Sequence, residues 1–158
     1  MKPCPHAIEA VLPHAPPMIL LDHLVGYDEG SLTAEVRVRP GIPFYRPGRG
    51  VPAHVGFEWM AQTCGAFVGA KARDSGDQVR VGLVLGTRNF RCSVAWFVNG
   101  DRLTVTATQM FSDRQIGVFD CEISRSGDEG PVAKAQLTVF RPEDDAALFA
   151  GTRLQVPS

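Results

Sequence analysis

Apolar and polar positions divide the chain into one long helical run and a series of short alternating stretches. From Val51 to Ala70 the apolar side chains Val55, Phe57, Trp59, Met60, Phe67 and Val68 surround most of a helical axis, which predicts a central helix covered on nearly all sides. Pro52 suits a first helical turn, and the helix is expected from about Pro52 to Arg73, ended by Asp74-Ser75-Gly76-Asp77. At about 1.5 Å per residue it is long enough to cross a small sheet completely.

The rest of the chain reads as strands that wrap this helix. His6 to Leu12 is a short amphipathic piece, closed by the prolines of Leu12-Pro13-His14-Ala15-Pro16-Pro17. Met18 to Tyr27 is a near-continuous apolar run and predicts a strand buried on both faces. Leu32, Ala34, Val36 and Val38 then alternate with Thr33, Glu35, Arg37 and Arg39, so a half-buried strand pairs with the first as a hairpin. A proline- and glycine-rich loop around Phe44-Tyr45 leads to the helix. After it come strand candidates at Val79 to Leu85, Phe90 to Trp96, Leu103 to Phe111, Gln115 to Arg125 and Val132 to Phe140, bounded by turns such as Asn99-Gly100-Asp101. The pattern predicts an α+β fold, one antiparallel sheet curled around a long helix. A chain of 158 residues is expected to be a single domain, with its core at about 8–141 and a tail at 142–158.

Composition narrows the function. The 16 Lys plus Arg nearly balance the 17 Asp plus Glu, with no basic block, so a nucleic-acid surface is not expected. Cys4, Cys64, Cys92 and Cys121 lack metal-type spacing, and no apolar signal segment follows Met1. Free thiols in a reducing cytoplasm are expected. No run approaches the roughly 18 or more apolar residues of a membrane span. No metal, nucleotide or flavin motif is present, so no cofactor is expected.

Within the apolar helix, His54 and Glu58 are four apart and share a face, which Gln62 continues. A carboxylate buried there costs several kcal/mol, on the order known for buried charge, unless it is paired or useful. That cost makes Glu58 the candidate centre. His14 and His23 are expected to be structural, His6 exposed, Cys64 a small apolar residue, and Trp59 and Trp96 core or interface anchors.

Leu12-Pro13-His14 with Pro17-Met18-Ile19-Leu20-Leu21-Asp22, then Pro43-Phe44-Tyr45, then Val51-Pro52-Ala53 followed by Glu58-Trp59-Met60-Ala61-Gln62, and finally Asn99-Gly100-Asp101-Arg102-Leu103 follow one another in order. In that order and spacing the chain resembles the hotdog-fold β-hydroxyacyl-acyl-carrier-protein dehydratases, and most closely the dehydratase-like subfamily associated with aryl polyene pigment clusters. One departure stands out. That family carries a catalytic histidine in the loop before the helix, whereas Pro43-Phe44-Tyr45-Arg46-Pro47-Gly48-Arg49-Gly50 has none.

The resemblance implies dehydration of 3-hydroxyacyl thioesters on acyl carrier protein to trans-2-enoyl thioesters, in fatty acid or polyene-type synthesis. It places the negative charge of the thioester oxygen on backbone N–H groups at the start of the helix, here Ala53, Val55 or Gly56, with Gly56 admitting the substrate closely. Glu58, raised in pKa by desolvation, is then the acid for the leaving hydroxyl, His54 the base, and Gln62 supporting. Phe44, Phe57, Phe67 and Phe90 are expected to line the acyl tunnel, and Arg46, Arg49, Arg88 and Arg91 to receive an acidic carrier protein. A homodimer or larger assembly is implied, or a hetero-oligomer with a second dehydratase subunit. Two rivals remain: thioester hydrolysis on the same fold, and a non-catalytic subunit that pairs with an active homologue.

Overall fold

The structure, a computed structural model, describes residues 1–14, 17–80 and 82–141; the expected tail, 142–158, lies outside the described residues. The elements in order are β1 (Lys2–Pro3), α1 (Ile8–Val11), β2 (His23–Tyr27), β3 (Ser31–Arg37), β4 (Val51–Pro52), a 3₁₀ turn (Ala53–Val55), α2 (Gly56–Asp74), β5 (Leu83–Cys92), β6 (Trp96–Phe97), β7 (Arg102–Ser112), β8 (Ile116–Arg125) and β9 (Pro131–Phe140). Seven strands form one antiparallel sheet in the order β1-β2-β3-β7-β8-β9-β5, and β4 pairs with β6 in a separate two-stranded ribbon. The expected hairpin is β2 with β3, and the meander is β7-β8-β9.

Strand alternation decides which side of the sheet meets α2. Leu103, Val105 and Ala107 on β7, Phe119, Cys121 and Ile123 on β8, and Ala133, Ala135 and Leu137 on β9 all point inward and are buried. Against them α2 lays Trp59, Met60, Cys64 and Phe67. Ring contacts join the layers, Trp59 to Phe97 at 5.2 Å and Phe67 to Phe119 at 5.7 Å between centroids. Each such side chain, fully buried, contributes roughly 1.5–3 kcal/mol.

Two glycines set how closely α2 sits. A Cβ on Gly69 would lie 1.9 Å from the carbonyl oxygen of Val11, so the helix backbone touches that of α1. A Cβ on Gly56 would meet Ile123 Cδ1 at 2.9 Å and Phe97 at 3.6 Å, so this glycine brings the start of α2 onto the sheet.

Three expectations change. The strand expected from Met18 to Tyr27 begins only at His23, and Met18 is 54% exposed. The Gln62 side chain accepts from Leu20 N–H at 2.8 Å and donates to the Met18 carbonyl at 2.6 Å, which removes these groups from any sheet ladder. The strands expected at Val79 to Leu85 and Phe90 to Trp96 are instead one strand, β5, plus the short β6. Asn89, at φ 56°, and a register shift between Arg88 and Arg91 bend β5 without ending it. Finally, α2 is not covered on nearly all sides.

Candidate active site

The uncovered side of α2 is a stripe. His54 of the preceding turn and Glu58 are exposed, and Phe57, Ala61, Gly65 and Val68 are half-buried, at the three- and four-residue spacing of one helical face. The sheet curls round the other side and stops at β5, its last strand. The stripe therefore lies open at the sheet's edge.

A cavity of about 230 Å³ follows this stripe, with Glu58, Ala61, Gln62, Gly65 and Val68 as its floor. One wall is the segment after α1, with Leu12, His14, Met18 and Leu20; Gln62, only 6% exposed, holds that wall down through its two backbone hydrogen bonds. Phe44 closes the cavity from the loop before β4. It does so at φ 70°, a conformation that costs a non-glycine residue on the order of 1–3 kcal/mol. The far wall is the sheet corner, with Val84, Val139, Arg80 and Arg141.

Glu58 thus stands at a cavity, but exposed on the chain by itself rather than enclosed by apolar neighbours. The expected enclosure is not supplied by the described residues, because the stripe that carries Glu58 faces away from the sheet. Gln62 does not bond Glu58; it supports the wall beside it. His54 is exposed one turn earlier and outside the cavity lining, while His14, expected to be structural, is part of it. His6, expected to be exposed, is half-buried, and its Nε2 lies 2.8 Å from Asp74 Oδ1.

The helix start also differs from expectation. Ala53 N–H donates to the Ala95 carbonyl at 3.0 Å, and Gly56 N–H turns back on the Ala53 and His54 carbonyls. Both amides are committed, and the open side of Gly56 faces the sheet. Val55 lies in the 3₁₀ turn itself, whose i→i+3 bonding engages its N–H with the Pro52 carbonyl. Of the expected tunnel residues, Phe44 lines the cavity; Phe57 is half-buried on the open stripe; Phe90 packs near Gly56; Phe67 is core, between Tyr27 and Phe119.

None of the four arginines expected to receive a carrier protein lines the cavity. Arg46 and Arg49 lie over the Trp96 ring, at 5.8 and 5.5 Å from its centroid, on a tight turn in which Gly48 and Gly50 take positive φ. Arg88 and Arg91 lie opposite Gln136 and Lys134 on the outer face of the sheet. Arg80 and Arg141 occupy the cavity instead. Register is the signal that finds them: Leu83 opposite Phe140 puts both at one corner of the sheet.

At the other end of α2, Asp74 accepts from Tyr27 O–H at 2.6 Å as well as from His6. These hydrogen bonds, Tyr27's first, hold the Asp74 carboxyl below its ordinary range. Burial, then the bond to Asp74, raises the Tyr27 hydroxyl. The cluster ties the N-terminal segment to the helix end, away from the cavity.

The apolar rim is extensive. Phe44 at 52%, Met18 and Val84 are exposed in the cavity lining, and Leu83 and Leu85 beside Val84 on β5 are exposed as well. Among the described residues β5 pairs with β9 alone, which leaves its other edge without a strand there.

The family model described as ApeP-like, ApeP dehydratase, matches residues 6–150. Among solved structures, the chain is similar to one from the dehydratase heterocomplex ApeI:P of Xenorhabdus doucetiae, at 26% identity and a TM-score of 0.83, covering 92% of this chain and 97% of that one. It is also similar, at 18% identity and a TM-score of 0.61, to a hypothetical thioesterase with coenzyme A from Streptococcus pneumoniae TIGR4, over 76% of this chain and 84% of that one. The E. coli PaaI protein from the phenylacetic acid degradation operon is similar at 18% identity and a TM-score of 0.59, over 75% and 81%. No curated protein matches. These likenesses bear out the hotdog fold.

Proposed function

From the premise that the chain belongs to the ApeP-like dehydratase family, we propose that it dehydrates 3-hydroxyacyl thioesters on acyl carrier protein, in polyene-type synthesis, as one half of a composite site. The observation that carries this is Glu58, set on an uncovered helical stripe at the wall of an apolar cavity. A base takes the C2 proton and the C2–C3 double bond forms. The 3-hydroxyl leaves as water with the proton of the Glu58 carboxyl, and both groups are reset by exchange with solvent. The negative charge on the thioester oxygen is received at the first turn of the helix.

A partner subunit fits the rest of the geometry. Exposed apolar side chains beside an unpaired strand edge favour association, and the ApeI:P relative is described as a heterocomplex. Covering the stripe takes Glu58 out of water, which favours the neutral carboxyl that donation needs. The loop Tyr45 to Gly50 carries no histidine and His54 is outside the cavity, so we assign proton abstraction to a histidine of the partner. His54 is the base in cis that competes with it.

Incubating the chain with 3-hydroxyacyl carrier-protein thioesters, alone and with a dehydratase partner, tests this by product. Enoyl thioester that appears with the partner, is lost in Glu58→Gln and survives His54→Ala is the expected outcome. Free acid in place of enoyl product would mean hydrolysis. Full turnover by Glu58→Gln ends the proposal.

A further inference from the structure

The turn that leads into β4 carries two cations without a counter-charge. From Val36 to Phe57 the chain holds Arg37, Arg39, Arg46 and Arg49 and no Asp or Glu. The first two are matched by Asp22, whose carboxylate accepts from Arg37 N–H at 2.7 Å and from the Arg39 guanidinium at 3.0 and 3.1 Å. Among the described residues no carboxylate pairs with Arg46 or Arg49, and both residues are exposed.

The backbone holds these two in place. Arg46 N–H donates to the Gly50 carbonyl at 2.7 Å, and the Arg46 carbonyl accepts from Arg49 N–H at 3.0 Å and from Gly50 N–H at 2.9 Å, so the turn closes on itself. A Cβ on Gly50 would lie 2.1 Å from the Phe97 carbonyl oxygen, so the turn is seated directly against β6. The other residue of β6, Trp96, is the half-buried ring on which both guanidinium groups lie. Attraction to the ring face offsets the repulsion between the two cations and holds side chains that would otherwise lose freedom on binding. Two such forks side by side suit a phosphate, which takes guanidinium donors in pairs.

The dehydration proposed above, on which this rests, brings a phosphate to this place. With the thioester oxygen at the first turn of α2 and the acyl chain along Ala61 and Gly65, the pantetheine arm leaves past the helix start. What precedes that start is β4 and then the arginine turn. The chain path from Glu58 back to Arg49 is about 22 Å, at about 1.5 Å per residue in the helix, 2.0 Å in the 3₁₀ turn and 3.3 Å in the strand. The straight distance is shorter, within the length of an extended pantetheine arm.

We infer that Arg46 and Arg49, stacked on Trp96, seat the phosphate at the root of the pantetheine arm, whether that arm hangs from a carrier protein or from coenzyme A. The seat lies outside the cavity and holds the handle of the substrate, not its acyl chain.

The first test is binding of 4′-phosphopantetheine against pantetheine, by calorimetry on the full chain, alone and with a dehydratase partner. The phosphate is expected to tighten binding about tenfold, the reach of two exposed ion pairs, and the gain shrinks as salt is raised. In Arg46→Gln/Arg49→Gln the gain falls toward one, and in Arg46→Lys/Arg49→Lys part of it returns. Trp96→Leu, which keeps both charges and removes the ring, retains only part. No gain from the phosphate in the wild type, or an undiminished gain in the glutamine variant, overturns the inference. The second test reads kcat/KM for 3-hydroxybutyryl thioesters of 4′-phosphopantetheine, coenzyme A and carrier protein, each against the pantetheine thioester. A loss in the glutamine variant with the carrier-protein thioester alone would mean that the arginines meet the carrier's own acidic surface, which also overturns it. Absence of dehydration with every thioester, beside a phosphate gain that the glutamine variant loses, removes the proposed reaction and leaves the seat standing.

Discussion

The two sides of α2 are built for different work. The closed side places Trp59, Met60, Cys64 and Phe67 against the sheet with almost no exposure. The open side carries His54, Phe57, Glu58, Ala61, Gly65 and Val68, none of them fully covered. Both sides are largely apolar, so apolar content does not separate them; reach of the sheet does. Six strands from β1 to β9 complete the wrap, and β5 ends it short of the stripe. A helix with one finished side and one unfinished side keeps stability and chemistry on different residues.

That separation can be broken in both directions. Glu58→Gln is expected to lower turnover about a hundredfold to ten-thousandfold, the range for a general acid, with the melting temperature unchanged. Trp59→Ala, one residue on, is expected to cost about 3–5 kcal/mol of stability by cavity formation, read by denaturant unfolding. Equal losses of stability in the two variants would show that the sides are not independent.

A smaller effect sharpens the boundary between them. Gln62→Leu strands Leu20 N–H and the Met18 carbonyl, at about 1–3 kcal/mol, and loosens the cavity wall, so KM is expected to rise more than kcat falls. The smallest concerns the far end of the helix. Asp74 titrates below its ordinary range when folded, so its contribution is present above the ordinary carboxylate pKa and is lost as pH falls through the depressed value. Thermal melts are expected to fall below about pH 4 in the wild type, with a flatter profile in Asp74→Asn.

Much of this was legible in the residues. Glu58 and Gln62 stand one turn apart on α2, although it begins at Gly56 rather than at Pro52, which is a strand residue, and β3 and β7 to β9 follow their alternation. The open stripe was not legible. Val55, Phe57, Trp59 and Val68 look alike in sequence, and only the place where β5 stops decides which are covered. Met18 to Leu21 reads as a buried strand because its composition is apolar. A single side-chain amide, Gln62, diverts its backbone into a cavity wall instead. Arg80 and Arg141 are far apart in the chain, and a strand register joins them.

Gly69 gives the cavity its gauge. The hydrogen atom that stands where other residues carry a methyl lets α1 rest directly on the helix, and the wall that holds Leu12, His14, Met18 and Leu20 begins where α1 ends. The gap between that wall and Glu58 is therefore fixed from about three turns away. A single carbon added at position 69 would pry the wall outward and widen the slot without touching any group that meets substrate.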